Sequence, residues 1–311
     1  MDKNLAKILS VNISDKKGTV KKPVDRVEVN EKGIINDAHS GTWHRQITLL
    51  AQERIDEFSK GIGREVKYGE FAENITTQGI DLTKVTILDR FRIGRVELEV
   101  TQIGKKCHGD ACAIYQEVGG CIMPKEGVFC RVLSAGKMAA GDVLEYNPRS
   151  LRVAVITLSD RASRGEYEDL SGPEIVKRTE EFFVDKPWKL SMHSVIIPDD
   201  AETLESEIKL LTNGFDIIFT TGGTGIGSRD ITPEVVEKLL DKTIPGIMEH
   251  IRVKYGAKIP NALLSRSVAG VIKKSLIYAL PGSVKAVREY TEEILQTVEH
   301  SIFMLRDINT H

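Results

Sequence analysis

The chain has 311 residues, with 43 Lys and Arg against 45 Asp and Glu, giving a net charge of −2. This length suits two domains at roughly 100–200 residues each, and the near-neutral balance excludes a global field that would draw nucleic acid or an anionic membrane. No run reaches the ~18–20 apolar residues of a membrane span, and MDKNLAKILSVNISDKKG at the N-terminus lacks the apolar core of a signal peptide, so the expected location is the cytoplasm.

Residues 1–147 hold short alternating apolar stretches between Gly, Asn and Asp turns, such as KVTILDRF, VELEVTQIG and GVFCRVLSAG. Period-two alternation with frequent turns predicts short strands in a mainly β barrel or sandwich. RQITLLAQERIDEFSKG, ending at Gly61, predicts a helix with a glycine stop. All four cysteines come next, as Cys107, Cys112, Cys121 and Cys130, spaced C-x4-C-x8-C-x8-C. That is not the paired C-x2-C spacing of a structural zinc site, and a reducing compartment disfavours disulfides. Cys130 lies between Phe129 and Arg131 in a strand pattern and reads as a buried small hydrophobe. Cys107 follows Lys105-Lys106 and precedes His108. Nearby cations lower a thiol pKa and supply thiolate, the form that carries sulfur or binds a soft metal. Cys112 or Cys121 could serve as a resolving thiol.

EYNPRS (145–150) marks the junction, Pro148 suiting a break between elements. Beyond it the texture changes. LRVAVITLS, SMHSVIIPDD, FDIIFTTGG and SLIYALPGS read as strands, and SGPEIVKRTEEFF, AETLESEIKLLTNG, TPEVVEKLLDK and VKAVREYTEEILQTVEHSIF as helices between and after them. The alternation predicts an α/β three-layer domain over 150–311 with a mostly parallel sheet covered on both faces.

FDIIFTTGGTG runs a buried strand into a glycine turn at its C-terminal end, the edge where open α/β sheets bind ligands. Gly222, Gly223 and Gly225 let backbone amides approach an anion, and Thr220, Thr221 and Thr224 add hydroxyl donors. Thr232 reads as an N-cap with Pro233 in the first helical turn. The loop matches neither G-x-x-x-x-G-K-[ST] nor G-x-G-x-x-G, and a turn that only packs helix on sheet is the plain alternative. Asp230 argues for more. An acid beside a phosphate nest repels the ligand unless a cation intervenes, and Mg²⁺ takes one or two carboxylates plus phosphate oxygens. Asp199-Asp200 follow another strand end, where they read either as a helix cap or, with Asp230, as a metal site.

TLSDRASRGEYEDLSGP (157–173), IPDD (197–200), TTGGTGIGSRDITPE (220–234), PGIMEHIR (245–252), ALLSRSVAG (262–270) and LPGSVKAV (280–287) together cover nearly all of the second half. With these motifs it resembles the molybdopterin adenylyltransferases of the Mog and gephyrin G-domain type. The resemblance implies Mg²⁺ and ATP, molybdopterin as substrate, and transfer of adenylyl to the pterin phosphate with release of pyrophosphate. It implies Asp199 and Asp230 as metal and catalytic acids, and Thr221, Gly222, Gly223, Thr224 and Gly225 as the phosphate loop. Ser265, Arg266 and Ser283 would lie toward the pterin, and Asp160, Ser171 and Gly172 toward the nucleotide. Relatives carry a proline-bearing LPGNP turn where this chain has Ser283-Val284. It also implies a homotrimer through the C-terminal half.

DAHSGTWHRQITLLAQE (37–53), GEFAENITTQGIDL (69–82), the cysteine window and GKMAAGDVL (136–144) make the first half resemble a MOSC domain, the β-barrel module of molybdenum cofactor sulfurases. This implies molybdenum cofactor or sulfur chemistry, with Cys107 as the functional cysteine and His39, His44, Arg45 and Asn74 lining its pocket. The whole chain then reads as a biosynthetic fusion, tethered so that one site is locally concentrated near the other. Its partners would be a pterin, a nucleotide, and other molybdenum cofactor biosynthesis enzymes or apo-molybdoenzymes. The alternative is a non-catalytic carrier of molybdopterin or the finished cofactor.

Overall fold

A computed structural model describes residues 4–106 and 113–308. They form two compact units, one made of the residues up to Arg149 together with Ile308 and the other spanning Ser150–Asp307.

The first unit is built from β1 (Leu5–Ile13), β2 (Lys22–Val24), β3 (Arg26–Asn30), β4 (Gly33–Ile34), β5 (Ile47–Ala51), β6 (Ile75–Gln78), β7 (Arg90–Ile93), β8 (Val96–Ile103), β9 (Val128–Ser134), β10 (Gly136–Ala139) and β11 (Val143–Asn147). Its main sheet runs β11-β7-β8-β9-β5-β6-β1-β2, and a further β1–β11 pairing closes it into a barrel. Closure depends on a shift in register between Ile8 and Ser10 of β1. A bulge bends a strand, and here the start of β1 pairs β11 while its end pairs β2. β3, β4 and β10 form a separate three-stranded sheet. Inward residues such as Ile8, Val11, Ile47, Leu49, Ile75, Phe91 and Leu98 fill the barrel core.

The helix expected from residue 45 starts later, as α1 (Gln52–Ile62). The preceding ITLLA is instead strand β5, with all five residues buried. It lies between β9 and β6, pairing antiparallel with the first and parallel with the second. A run buried on every side suits an interior strand better than an amphipathic helix. Parallel neighbours need a crossover, and α1 lies in the connection from β5 to β6. The helices α2 (Ala113–Val118) and α3 (Met123–Glu126) come after β8.

The second unit carries β12 (Ser150–Leu158), β13 (Lys189–Ile197), β14 (Ile217–Thr221), β15 (Lys242–Thr243), β16 (Val268–Ile272) and β17 (Ser275–Leu280) in the order β13-β12-β14-β17-β16-β15. The sheet is mixed. β13, β12, β14 and β17 run parallel, whereas β16 and β15 add antiparallel pairings at one edge. The VAGVI run that forms β16 is joined to β17 by a two-residue turn, which forces a hairpin rather than a crossover.

The helices are α4 (Asp160–Ser163), α5 (Ser171–Phe183), α6 (Ala201–Leu211), α7 (Thr232–Leu239), α8 (Pro245–Gly256) and α9 (Val284–Leu305). Alternation sorts the strand side chains. Ala154, Ile156 and Ile218 pack with Leu204 and Ile208 of α6 and Val235 and Val236 of α7. The opposite side chains, including Val155, Phe219 and Tyr278, are fully buried on the face where α5 and α9 pack. Helices thus cover both faces of the sheet. No helix among the described residues is long and apolar enough to cross a membrane.

Candidate functional site

The four parallel strands end in register. Ile197 pairs Leu158, Thr157 pairs Thr221, and Thr221 pairs Leu280. The segments just beyond these strands therefore gather along one edge: Asp199 after β13, Asp160 after β12, the glycine loop after β14, and Pro281-Gly282-Ser283 after β17. This is the edge at which open α/β sheets place ligands.

Asp160 and Asp199 lock the ends of β12 and β13 reciprocally. The Asp160 amide donates to Asp199 Oδ2 at 3.2 Å, and the Asp199 amide donates to Asp160 Oδ1 at 3.1 Å. Asp160 Oδ2 faces Arg229 Nη1 at 3.5 Å. The Asp199-Asp200 pair divides its labour. Asp200 is the N-cap of α6, accepting from the Thr203 amide at 2.8 Å, and hydrogen bonds from Thr203 hold its carboxyl below the usual range. Asp199 is left for the site.

The loop after β14 is shaped by close approaches. Gly222 has φ +103°, and a Cβ there would lie 2.5 Å from the Leu158 carbonyl oxygen, so only glycine fits. Its amide donates to Leu280 O at 3.1 Å. Thr220 and Thr221 are fully buried, and Thr221 Oγ1 donates to Pro281 O at 2.9 Å. The Thr221 hydroxyl is therefore spent on the loop rather than kept for a ligand, contrary to expectation, whereas Thr220 Oγ1 is buried without a hydrogen-bond partner. Thr232 also differs from its expected role as N-cap. It is the first residue of α7, and its hydroxyl donates to Gly222 O at 2.8 Å. A buried threonine beside an unfilled carbonyl satisfies that acceptor first.

Asp230 Oδ2 accepts the Gly227 amide at 2.8 Å, and a Cβ on Gly225 would lie 2.8 Å from the same oxygen. Arg266 clamps the loop: Nε donates to Gly225 O at 2.7 Å, Nη2 to Asp230 O at 2.8 Å, and Nη1 pairs with Glu234. The arginine expected on the pterin is spent on the loop. The amides of Gly223, Thr224 and Gly225 have no acceptor among the described residues, which leaves them as donors for an anion.

Asp199 Oδ1 and Asp230 Oδ1 take no hydrogen bond among the described residues. They are the hard anionic oxygens that Mg²⁺ prefers. No group of three or more His, Cys, Asp or Glu among the described residues is placed to hold a metal.

Ser171 and Gly172 open α5 over Asp169. The Asp169 carboxylate accepts from the Ser171 amide and hydroxyl at 2.9 Å, from the Gly172 amide at 3.1 Å, and from Thr157 Oγ1 at 2.6 Å. Sequence reasoning missed Asp169, although an Asp two residues before Ser-Gly-Pro is a capping signal. Ser283 is the N-cap of α9 and accepts from the Ala286 amide at 3.3 Å. Ser265 Oγ and Ser267 Oγ are 2.8 Å apart.

In the barrel unit a cavity of ≈ 530 Å³ is lined by His44, Arg45, Thr101, Lys105, Lys106 and Pro124, among others. His44 Nδ1 and Arg45 Nε are buried without a hydrogen-bond partner. Burial, then the charges of Arg45 and Arg131, lower the His44 pKa. The cavity is cationic and suited to an anion. Cys107, the next residue after Lys106, and Cys112 lie outside the described residues. Cys130 is fully buried and burial pushes its thiol up. Cys121 is half-buried.

His39 and Asn74 do not line this cavity. The His39 amide donates to Asp37, and its ring stacks beside Trp43. Asn74 ties β5 to β1, its Oδ1 accepting from the Thr48 amide at 3.2 Å and its Nδ2 donating to Asn12 O at 3.0 Å. A fully buried amide with its polar groups satisfied by backbone is a structural lock.

Residues 154–300 match the family model described as "Probable molybdopterin binding domain". A molybdopterin adenylyltransferase of Helicobacter pylori strain J99 is 36% identical over 159 residues, covering 50% of this chain and 89% of the relative. One from Pyrococcus furiosus is 36% identical over 168 residues, covering 51% and 94%. The chain belongs to the molybdopterin adenylyltransferase family. A solved structure of the molybdopterin biosynthesis enzyme MoaB from Thermus thermophilus is similar at 36% identity, covering 50% of this chain and 96% of that one with a TM-score of 0.45. Residues 36–145 match the MOSC domain model, so an adenylyltransferase-family half is fused to a MOSC half.

Proposed function

We propose that the C-terminal unit transfers an adenylyl group from ATP to molybdopterin. The terminal phosphate oxygen of the pterin attacks the α-phosphorus of ATP. The bond from that phosphorus to the bridging oxygen breaks, and pyrophosphate leaves with the electron pair. The observation that carries this reading is the meeting of unpartnered amides at Gly223, Thr224 and Gly225 with the carboxylates of Asp199 and Asp230 at one sheet edge. Such transfers need positioning and charge neutralisation more than a covalent nucleophile, and a plain phosphate binder has no use for adjacent acids. Asp199 and Asp230 would hold Mg²⁺, which when bound neutralises phosphate charge. Asp160, Ser171 and Gly172 line the nucleotide side. Ser265 and Ser283 lie toward the pterin, with Arg266 acting through the loop. The names of the relatives support this reaction.

The MOSC half binds or modifies the molybdenum cofactor, or carries sulfur. His44, Arg45, Lys105 and Lys106 would attract an anionic ligand to the cavity, and Cys107, the next residue in the sequence, is the cysteine that would carry the chemistry. Cys107→Ser should abolish sulfur transfer or cofactor retention. Unchanged behaviour in that variant removes the assignment. The protein acts in the cytoplasm, with other cofactor-biosynthesis enzymes or apo-molybdoenzymes as partners. It assembles as a trimer through the C-terminal half, whose exposed Val253, Leu263 and Leu264 supply apolar surface. A monomer in light scattering would overturn that assembly.

The deciding assay mixes the protein with molybdopterin, ATP and Mg²⁺ and measures pyrophosphate and adenylylated pterin. Tight pterin binding without product would replace the enzyme by a carrier.

A further inference from the structure

We propose that Arg229 is the side chain that receives the leaving pyrophosphate, and that Asp160 parks it until the nucleotide arrives. This rests on the adenylyl-transfer reading above. The neighbouring arginines are committed elsewhere. Arg266 is held by two loop carbonyls and Glu234. Arg252 donates to Ser265 O and Ser267 O. Arg161 lies over the Tyr167 ring at 5.1 Å, and Arg164 pairs with Glu166 at 2.7 Å. Arg229 is different. Its side chain is 81% exposed, and it touches Asp160 at the long distance of 3.5 Å.

Its position connects the two halves of the site. Arg229 comes after the exposed loop tip Ile226–Ser228 and directly precedes Asp230. From there its guanidinium reaches across to Asp160, the acid after β12. In the chain it follows the unpartnered amides of Gly223–Gly225 by a few residues, and in space it meets the Asp160 side of the Asp160–Asp199 lock. An exposed ion pair contributes little to stability, so the arginine exchanges partners at little cost. Pyrophosphate carries more charge than a carboxylate and offers paired oxygens to the planar guanidinium. Asp160 Oδ1 stays bonded to the Asp199 amide, so the acid lock survives the departure of Arg229. The parked pair also lowers the repulsion that two neighbouring carboxylates would otherwise present to an incoming triphosphate.

The test is calorimetric binding of inorganic pyrophosphate to the full chain with Mg²⁺, comparing wild type with Arg229→Ala, Arg229→Lys, Asp160→Asn and the Arg229→Ala/Asp160→Asn pair. Arg229→Ala should weaken pyrophosphate binding roughly 10- to 100-fold, and Arg229→Lys should recover part of it. Molybdopterin affinity should stay unchanged. Asp160→Asn alone should tighten pyrophosphate binding by releasing the arginine, and most of that gain should vanish in the Arg229→Ala background. Equal pyrophosphate affinity in wild type and Arg229→Ala, beside normal adenylyl transfer by the wild type, overturns the role of Arg229. A gain from Asp160→Asn that persists without Arg229 overturns the parking. Absence of adenylylated pterin from the wild type overturns the reading beneath both.

Discussion

The barrel unit and the α/β unit handle charge in opposite ways. The barrel puts it inside: the side chains of Lys21 and Asp37 pair with no exposure, and Glu73 is fully buried beside them. Burial lowers the Lys21 pKa against the pull of Asp37. Burial also opposes the Asp37 charge, but hydrogen bonds from His39 and Lys21 outweigh it and hold that carboxyl well below its usual range. The α/β unit keeps its site acids at the rim, where Asp160, Asp199 and Asp230 are all half-buried. Buried charges are costly unless paired, and removing one partner is strongly destabilising, so the barrel cluster fixes the loop that leads to His44 and Arg45. Rim carboxylates cost little and remain able to exchange partners. The two units thus offer a rigid cationic cavity and an adaptable acidic edge.

The sharpest way to break this contrast is at the rim. Asp230→Asn keeps an oxygen to accept the Gly227 amide but loses the charge, and turnover should fall roughly 10²–10³-fold with the melting temperature nearly unchanged. Loss of stability with normal turnover would make Asp230 a loop cap only.

Inside the barrel the same neutralisation should act on stability instead. Burial raises the Glu73 pKa from 4.5 to about 7. A raised carboxyl contributes its stability below its unfolded pKa, and loses it as pH rises through the folded value. Wild type should therefore lose up to about 3 kcal/mol between pH 4.5 and 7 relative to Glu73→Gln, at about 1.36 kcal/mol per pKa unit. Denaturant titrations of both at a series of pH values test this, and parallel curves would refute it.

Gly222→Ala should cost about 1–3 kcal/mol through strain at positive φ and contact with the Leu158 carbonyl. A thermal melt with no shift would mean that the loop relaxes freely. The smallest effect concerns the cavity. Lys105→Ala should weaken inorganic phosphate binding a few-fold, in line with about 1 kcal/mol for a partly exposed contact, and salt should narrow the difference. Salt-independent binding would remove the electrostatic account.

Much of the α/β half was legible because its signals are local. SGPEIVKRTEEFF and AETLESEIKLL have helical period and end where polar residues interrupt it, and they form α5 and α6. The glycine turn after FDIIFTT marked a strand end without knowledge of its neighbours. The barrel was harder to read. ITLLA looks alike in a buried strand and a buried helix, and only pairing with β6 and β9 decided between them. His39 shares a stretch and a chemistry with His44, yet its amide is bound to Asp37 and its ring lies beside Trp43 rather than in the cavity lining, and Asn74, 30 residues on, is taken by the backbone of β5 and β1.

The sequence by itself determined the two textures, the strand-end positions of Asp199, Gly222 and Asp230, and the family motifs, because each depends on residues within a few positions of one another. Tertiary structure decided which groups remain available. Arg266 is taken by loop carbonyls, Thr221 by Pro281, Thr232 by Gly222 and Asp200 by its own helix, while Asp199 meets Asp160 across two strands. Hydrogen-bond partners are assigned by three-dimensional proximity, and a polar group already satisfied inside the protein is no longer free for a ligand.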